Sequence, residues 1–384
     1  MSKKKIVAFV LITALTVAVF CSCFYVSGNA INQLPSITQM NYNLKSDEKP
    51  LTVKDINKFS NRISFNQISF CSEQEETNVK EESVTPVLTN ENYFEIYGQK
   101  LNGSGITEEN IKNKDNVAVI SSSLALKLFF NIDAVGKTIT LDDENYTICG
   151  VIQESENIIN SISGDGKQRV YIPYTCYSGY GNCDINILSY DNQAISAPLI
   201  EQMDLSQYHP TNFSEKAKVI KNFEHIIFLI LFIALCFISL KIWYRICKKL
   251  IKDIKENLSE NYFLNSIKSI PIKYALLTVA SLGIPATLLA IFSLSDFTIF
   301  IIPKYIPYDN IFDVSYYVST VVENSNTVNS LALTGNTYLL KLYSNTFNIA
   351  FWLVIIFVLI LSITVKIMGR EIVSIRNHNG KIER

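Results

Sequence analysis

The residues able to do covalent or metal chemistry are few in this chain, and their spacing matches no familiar constellation. It has three histidines and eight cysteines in 384 residues. His209, His225 and His378 fall in three different segments, and no HExxH or G-x-S-x-G string is present. The adjacent acids Asp142 and Asp143 belong to a turn between two β-like runs rather than to a general acid–base pair. The nearest thing to a phosphate loop is GDGK at 164–167, which lacks the four-residue spacer and is followed by Gln168 instead of Ser or Thr. Catalysis within this chain is therefore not expected, nor is a resident cofactor or metal, and nucleotide chemistry must be handled elsewhere.

The cysteines divide by segment. Cys21, Cys23 and Cys236 lie inside apolar runs, with Cys247 beside one, whereas Cys71, Cys149, Cys176 and Cys183 lie in the polar region between. Cys176 and Cys183 flank a glycine-containing turn and could close a small disulfide loop, leaving Cys71 for Cys149. Unpaired buried thiols are the alternative. A metal site has neither a CxxC spacing nor a nearby histidine to support it.

The elements that would hold such residues are set by hydropathy. Mean hydropathy is +0.19 and 48% of residues are hydrophobic. Apolar runs at 6–26, 225–240, 274–292 and 349–367 are spaced as one, then three. A bilayer core of about 30 Å needs about 20 apolar residues per helix, so each run reads as a span. Gly283 and Pro285 predict a kink in the third. The first follows Lys3, Lys4 and Lys5 and reads as an uncleaved anchor rather than a signal peptide, since no small-x-small site follows it. The expected fold is a membrane protein of four transmembrane α-helices, one plus three, with a large extracellular α+β domain between the first and second. The segments are 1–27 (inner N-terminus and first span), 28–222 (outer domain), 223–244 (second span), 245–273 (inner loop), 274–293 (third span), 294–348 (outer loop), 349–368 (fourth span) and 369–384 (inner tail).

Charge predicts the orientation. The stretch 241–273 has eight basic and three acidic residues, while 28–222 has sixteen basic and twenty-five acidic. The positive-inside rule places both termini and the inner loop in the cytoplasm of a multi-pass cell-membrane protein. The acidic outer domain argues against nucleic acid as a partner.

Within 28–222, a helix is expected from Thr52, a strand over 63–70, a solvated loop over 73–83, and a strand from Val84 with Pro86 at an edge or strand start. VAVIS at 117–121 reads as a buried strand feeding a helix at 122–130, and the runs 136–141 and 146–152 as a hairpin. Residues 213–224 are helical and charged, an outward stalk on the second span.

Several of these pieces resemble one family. NYFEIYG at 92–98, VAVIS at 117–121 with ALKLF at 125–129, GKTITL at 136–141, YTICGV at 146–151 and VYIPY at 170–174 follow, in order, the pattern of the MacB-type extracytoplasmic core domain. The resemblance implies a permease of the FtsX/MacB-like ABC transporter class, paired with a second permease copy or paralogue. Such a permease transmits motion driven by a separate cytoplasmic ATPase, which binds the ATP, and it exports or mechanically drives an unknown substrate. It also makes Arg245, Lys248, Lys249, Lys252 and Asp253 the candidates for ATPase contact, although RICKKLIKDIKE at 245–256 lacks the glycines of the family's inner loop. An interfacial helix on anionic lipid is the alternative use of those lysines. A membrane-anchored receptor or scaffold, whose outer domain binds an envelope peptide or protein without ATP, is the alternative function.

Overall fold

The computed structural model describes residues 3–43, 46–55, 68–154, 158–176, 183–192, 205–260, 262, 265, 267–268, 270–294, 298–307, 310–331 and 338–379. The chain forms two compact units. One comprises Met1–Ser27, Lys221–Phe300 and Ala350–Arg384; the other comprises Gly28–Ile220 and Ile301–Ile349.

Among the described residues, the second unit is built on an eleven-stranded mixed sheet. Its strands are β1 (Ile37–Tyr42), β2 (Ile68–Glu73), β3 (Thr77–Val79), β4 (Glu82–Thr89), β5 (Leu101–Gly103), β6 (Val117–Ser121), β7 (Thr138–Leu141), β8 (Glu144–Ile152), β9 (Arg169–Pro173), β10 (Ile187–Asp191) and β11 (Tyr208–Asn212). The main order is β11-β1-β10-β2-β4-β9-β6-β8-β5, with β3 on β4 and β7 on β8. Pairing is antiparallel except for β4 with β9 and β6 with β8.

Strand alternation sends two sets of side chains to opposite faces. Leu88, Ile172 and Ile120 share one face with α4 (Ser122–Phe129), which buries Leu124, Ala125 and Leu128 there. Val87, Tyr171 and Val119 face the other way, under Tyr93 and Phe94 of α2 (Tyr93–Ile96). Each such Leu, Ile or Phe contributes roughly 1.5–3 kcal/mol as an upper bound. A short α3 (Glu108–Asn113) starts in a capping box between Thr107 and Asn110. The start of α4 is fixed by the Ser121 hydroxyl, which accepts from the Leu124 N–H at 3.2 Å.

Two local expectations are corrected. The span 73–83 is not a solvated loop, because β3 and β4 pair there through Thr77–Val84, Asn78–Ser83 and Val79–Glu82. Pro86 is neither at an edge nor at a strand start; it lies within β4, between β2 and β9. Thr85 donates to Gln168 on the β9 side at 2.8 Å, so position 86 turns its backbone to the other side. There β4 changes partner from β3 to β2, and only the Pro86 carbonyl is used, accepting from Gln74 at 2.9 Å. The missing N–H costs the sheet nothing at that switch. Much of the strand expected at 63–70 and of the helix expected after Thr52 lies outside the described residues, although Thr52 and Asp55 pair at 2.7 Å.

The stretch 294–348 is more than an outer loop. It contains α8 (Val314–Leu331), and residues 301–349 cluster with the sheet unit. Within that unit α5 (Ile158–Ser163) is held by Asn345, whose Nδ2 donates to the Ile162 carbonyl at 3.3 Å and to Ser163 Oγ at 3.2 Å. Asn345 sits in the N-terminal turns of α9 (Tyr338–Asn379). Lys216 Nζ stands 4.3 Å from the centroid of the Tyr343 ring on the same turns.

The other unit contains α1 (Lys3–Gln33), α6 (Phe213–Glu260) and α7 (Pro271–Leu294) in large part, with the rest of α9. Among the described residues, four helices are long and apolar enough to cross a membrane: Ala14–Gln33, Phe213–Ser259, Pro271–Ser293 and Tyr338–Ile363. The helices α1 and α6 meet through Phe24 and Phe228, with ring centroids 5.2 Å apart, and through Ser27, which donates to Glu224 Oε1 at 2.5 Å. Helices α6 and α7 meet through Phe232 and Phe292. Asn222 clamps the chain beyond α7 by a paired contact: its Nδ2 donates to the Phe300 carbonyl at 2.6 Å and its Oδ1 accepts from the Phe300 N–H at 2.9 Å. Pro285 lies inside α7, which remains one helix through it.

Candidate coupling site

The candidate residues at 245–253 do not lie on a separate loop. No Gly or Pro interrupts residues 213–260, so α6 runs unbroken for 48 residues, about 72 Å at 1.5 Å per residue. The second apolar run is the middle of that helix, and the basic segment is its last third.

Helical spacing then sorts the five residues. Cys247 and Ile254, seven apart, are buried. Asp253 turns toward α7 and accepts from Lys273 Nζ at 2.9 Å, with Lys249 one turn away beside the same groove. Arg245, Lys248 and Lys252 lie on an exposed face, interleaved with exposed Tyr244, Ile251 and Leu258. Lys252 makes a loose pair with Glu256 at 3.6 Å, both largely exposed, which contributes little to stability. The structure thus groups Lys249 and Asp253 with α7, and leaves Arg245, Lys248 and Lys252 on a cationic surface with apolar side chains at heptad spacing. Lys273 was not singled out from sequence; no local motif marks a partner twenty residues away across a helix turn.

At its other end α6 grows directly out of β11. Asn212 caps it, its Oδ1 accepting from the Glu215 N–H at 3.2 Å and from Asn192 Nδ2 at 3.1 Å. Asn192 also donates to Ser214 Oγ at 2.9 Å and accepts from Thr38 Oγ1 at 2.5 Å. Ser36 and Ser214 share a hydrogen bond of 3.0 Å. Ser36 is three residues past the end of α1, and β1 pairs with β11 throughout. One polar knot therefore joins the points where α1 and α6 meet the sheet. The N-x-x-E string at 212–215 carries a capping signal that the sequence reading did not use.

The disulfide expectation is not met. All eight cysteines are free. Cys176 Sγ points to the Asp115 carbonyl at 3.1 Å, while Cys183 Sγ faces Ser72 Oγ at 3.4 Å, so the two thiols are committed to different neighbours. Burial pushes the thiols of Cys149 and Cys176 up to about 11 and that of Cys71 higher still, which favours the protonated form. Among the described residues no group of His, Cys, Asp and Glu could hold a metal ion.

Residues 8–197 match the family profile described as the MacB-like periplasmic core domain. The chain belongs to the FtsX/MacB-like permease family. The Macrolide export ATP-binding/permease protein MacB of Neisseria gonorrhoeae is 33% identical over 86 residues, 22% of this chain and 13% of the relative. Its counterpart from Neisseria meningitidis serogroup A matches to the same extent. The match spans about an eighth of those relatives' length. Among solved structures, the periplasmic region of MacB from Actinobacillus actinomycetemcomitans aligns with 50% of this chain and 96% of its own, at 18% identity and a TM-score of 0.38. The extracellular domain of the noncanonic ABC-type transporter YknZ from Gram-positive bacteria aligns with 43% and 88%, at 21% identity and a TM-score of 0.34. In this FtsX/MacB-like chain the matched residues include strands β1 to β10 of the mixed sheet.

Proposed function

We propose that this chain is the permease subunit of an ABC transporter complex, in which a separate ATPase docks on the inner third of α6 and drives motion of the outer domain. The observation that carries this reading is the continuity of α6. A displacement at Arg245–Asp253 reaches the Asn212 cap without crossing a glycine or proline joint, and packed helices shift as units. Arg245, Lys248 and Lys252 are the docking residues; Lys249 and Asp253 brace the segment against α7. The apolar runs are read as four spans in a one-plus-three order, with both termini and the basic segment cytoplasmic by charge. A second permease copy or paralogue completes the complex, and an extracellular peptide or protein is a candidate partner of the outer domain, the substrate being unknown.

The docking reading is tested by placing a cysteine at Lys252 (Lys252→Cys), crosslinking in membranes and purifying the full chain. Recovery of an ATPase joined at that position, and its loss when Arg245→Glu and Lys248→Glu are added to Lys252→Cys, is the expected result. Crosslinks to lipid alone would leave the receptor or scaffold reading, which the missing glycines of the inner loop favour.

A further inference from the structure

A groove with a cavity volume of about 620 Å³ runs between the inner part of α6 and α7, and its two ends differ in chemistry. At one end stand Lys249, Asp253 and Lys273, carrying a net charge of +1; Lys273 lies in the first turn of α7. From there the wall is apolar, with Leu250, Leu276 and Val279, and it ends at Gly283 and Thr287. Gly283 leaves space: a Cβ built there meets only Val279 Cγ1, at 3.9 Å.

We infer that this groove holds one anionic phospholipid of the leaflet at which Lys249 and Lys273 lie, its phosphate at the two lysines and one acyl chain along the apolar wall. The length agrees. Lys273 to Thr287 is fourteen residues, about 21 Å of helix. One leaflet's hydrocarbon is about 15 Å, and a headgroup zone adds about 5–7 Å. The volume lies within the roughly 300–1,000 Å³ of small-molecule sites. Charge complementarity selects the occupant. Basic pockets between helices at a membrane boundary take anionic headgroups, whereas a second apolar helix laid in the groove would bring nothing to answer the lysines. Asp253 keeps Lys273 in place, and Lys249 adds the unmatched positive charge. The inference does not depend on the ATPase reading, since Arg245, Lys248 and Lys252 do not line this groove.

The test is native mass spectrometry of the full chain in mild detergent, with phosphatidylglycerol and phosphatidylcholine of identical acyl chains added as probes. The wild-type chain should retain one phosphatidylglycerol in preference to phosphatidylcholine, and excess inorganic phosphate should not displace it. Lys249→Gln should lower the preference about fivefold, as expected for one lysine at an anionic surface, and Lys249→Arg should keep it. Gly283→Leu, which fills the deep end, should abolish retention of both lipids. Unchanged retention in Lys249→Gln and Gly283→Leu would overturn the inference. So would displacement by phosphate alone, or a change of oligomeric state in Gly283→Leu with lipid binding intact, which would make the groove a helix-docking face.

Discussion

At the scale of single residues, the most consequential group in the outer domain is Arg169, which the sequence did not single out. It is buried in the central strand β9, where its Nε donates to Glu73 Oε1 at 2.7 Å and its Nη1 to Asp165 Oδ1 at 3.0 Å. Both carboxylates are largely buried too. Arg169→Met would leave Asp165 buried without its cation and Glu73 with only the looser 3.8 Å pair to half-exposed Lys167, a change that costs roughly 3–5 kcal/mol in such pairs. The denaturant midpoint of the outer domain, followed in the full chain, should fall accordingly. Removing all three charges with Glu73→Leu and Asp165→Asn should recover part of the loss. The same cluster gives a pH dependence. Burial opposes ionisation of Asp165, but the hydrogen bonds and charge of Arg169, helped by the Lys167 N–H, outweigh it and hold the carboxyl below its ordinary value of 3.8. A carboxyl lowered on folding binds its proton more readily when unfolded. Its stabilisation is therefore complete well above pH 3.8 and is lost as pH falls through the lower folded value. Acid unfolding of Arg169→Met should lack that component.

At the scale of elements, β5 is the edge strand most sensitive to a single atom. Gly103 has φ of +112°, and a Cβ there would lie 2.3 Å from the Cys149 carbonyl oxygen. Gly103→Ala must move the backbone of β5 away from β8, at a cost of at least about 1–3 kcal/mol. Amide exchange in Leu101–Gly103 and its partners in β8 should rise, while that in β4 and β9 stays unchanged. Uniform protection across the sheet would contradict this account. These elements also show what could be read from the chain alone. The β6 strand and the β7–β8 hairpin were legible because β-branched runs and an Asp-rich turn are local signals. The β3–β4 hairpin was not, since three residues of β3 carry no period and its acidic flanks resemble a solvated loop. Helix α8 was missed because VENSNTVNS, its second half, is poor in helix formers. Its start is fixed instead by Asp313, whose Oδ1 accepts from the N–H groups of Ser315 and Tyr316. For the candidate site, the residue types at 245–253 were legible. Their division between two faces required a helix continuous with the apolar run, and the bond from Asp253 to Lys273 is a tertiary contact with no local pattern.

At the scale of the whole molecule, chain order places β1 just after α1 and α6 just after β11. β1 and β11 are adjacent, antiparallel and joined by the knot around Asn192, so the last residues of α1 and the first of α6 lead to the same pair of strands. If α6 transmits motion as a rigid rod, a break between its apolar run and Asn212 should uncouple the ends without dissolving either. Lys218 is exposed in that stretch, and a proline there would remove one helical hydrogen bond and kink the rod. In Lys218→Pro, the ATPase should still crosslink at Lys252→Cys, and the outer domain should keep its denaturant midpoint. What should disappear is any change in protease sensitivity of the outer domain when ATP is added to the assembled complex. Lys218→Ala, which keeps the helix, should retain that change. A nucleotide response that survives the proline would mean that α1 and α9 carry the motion, and that α6 serves only to anchor.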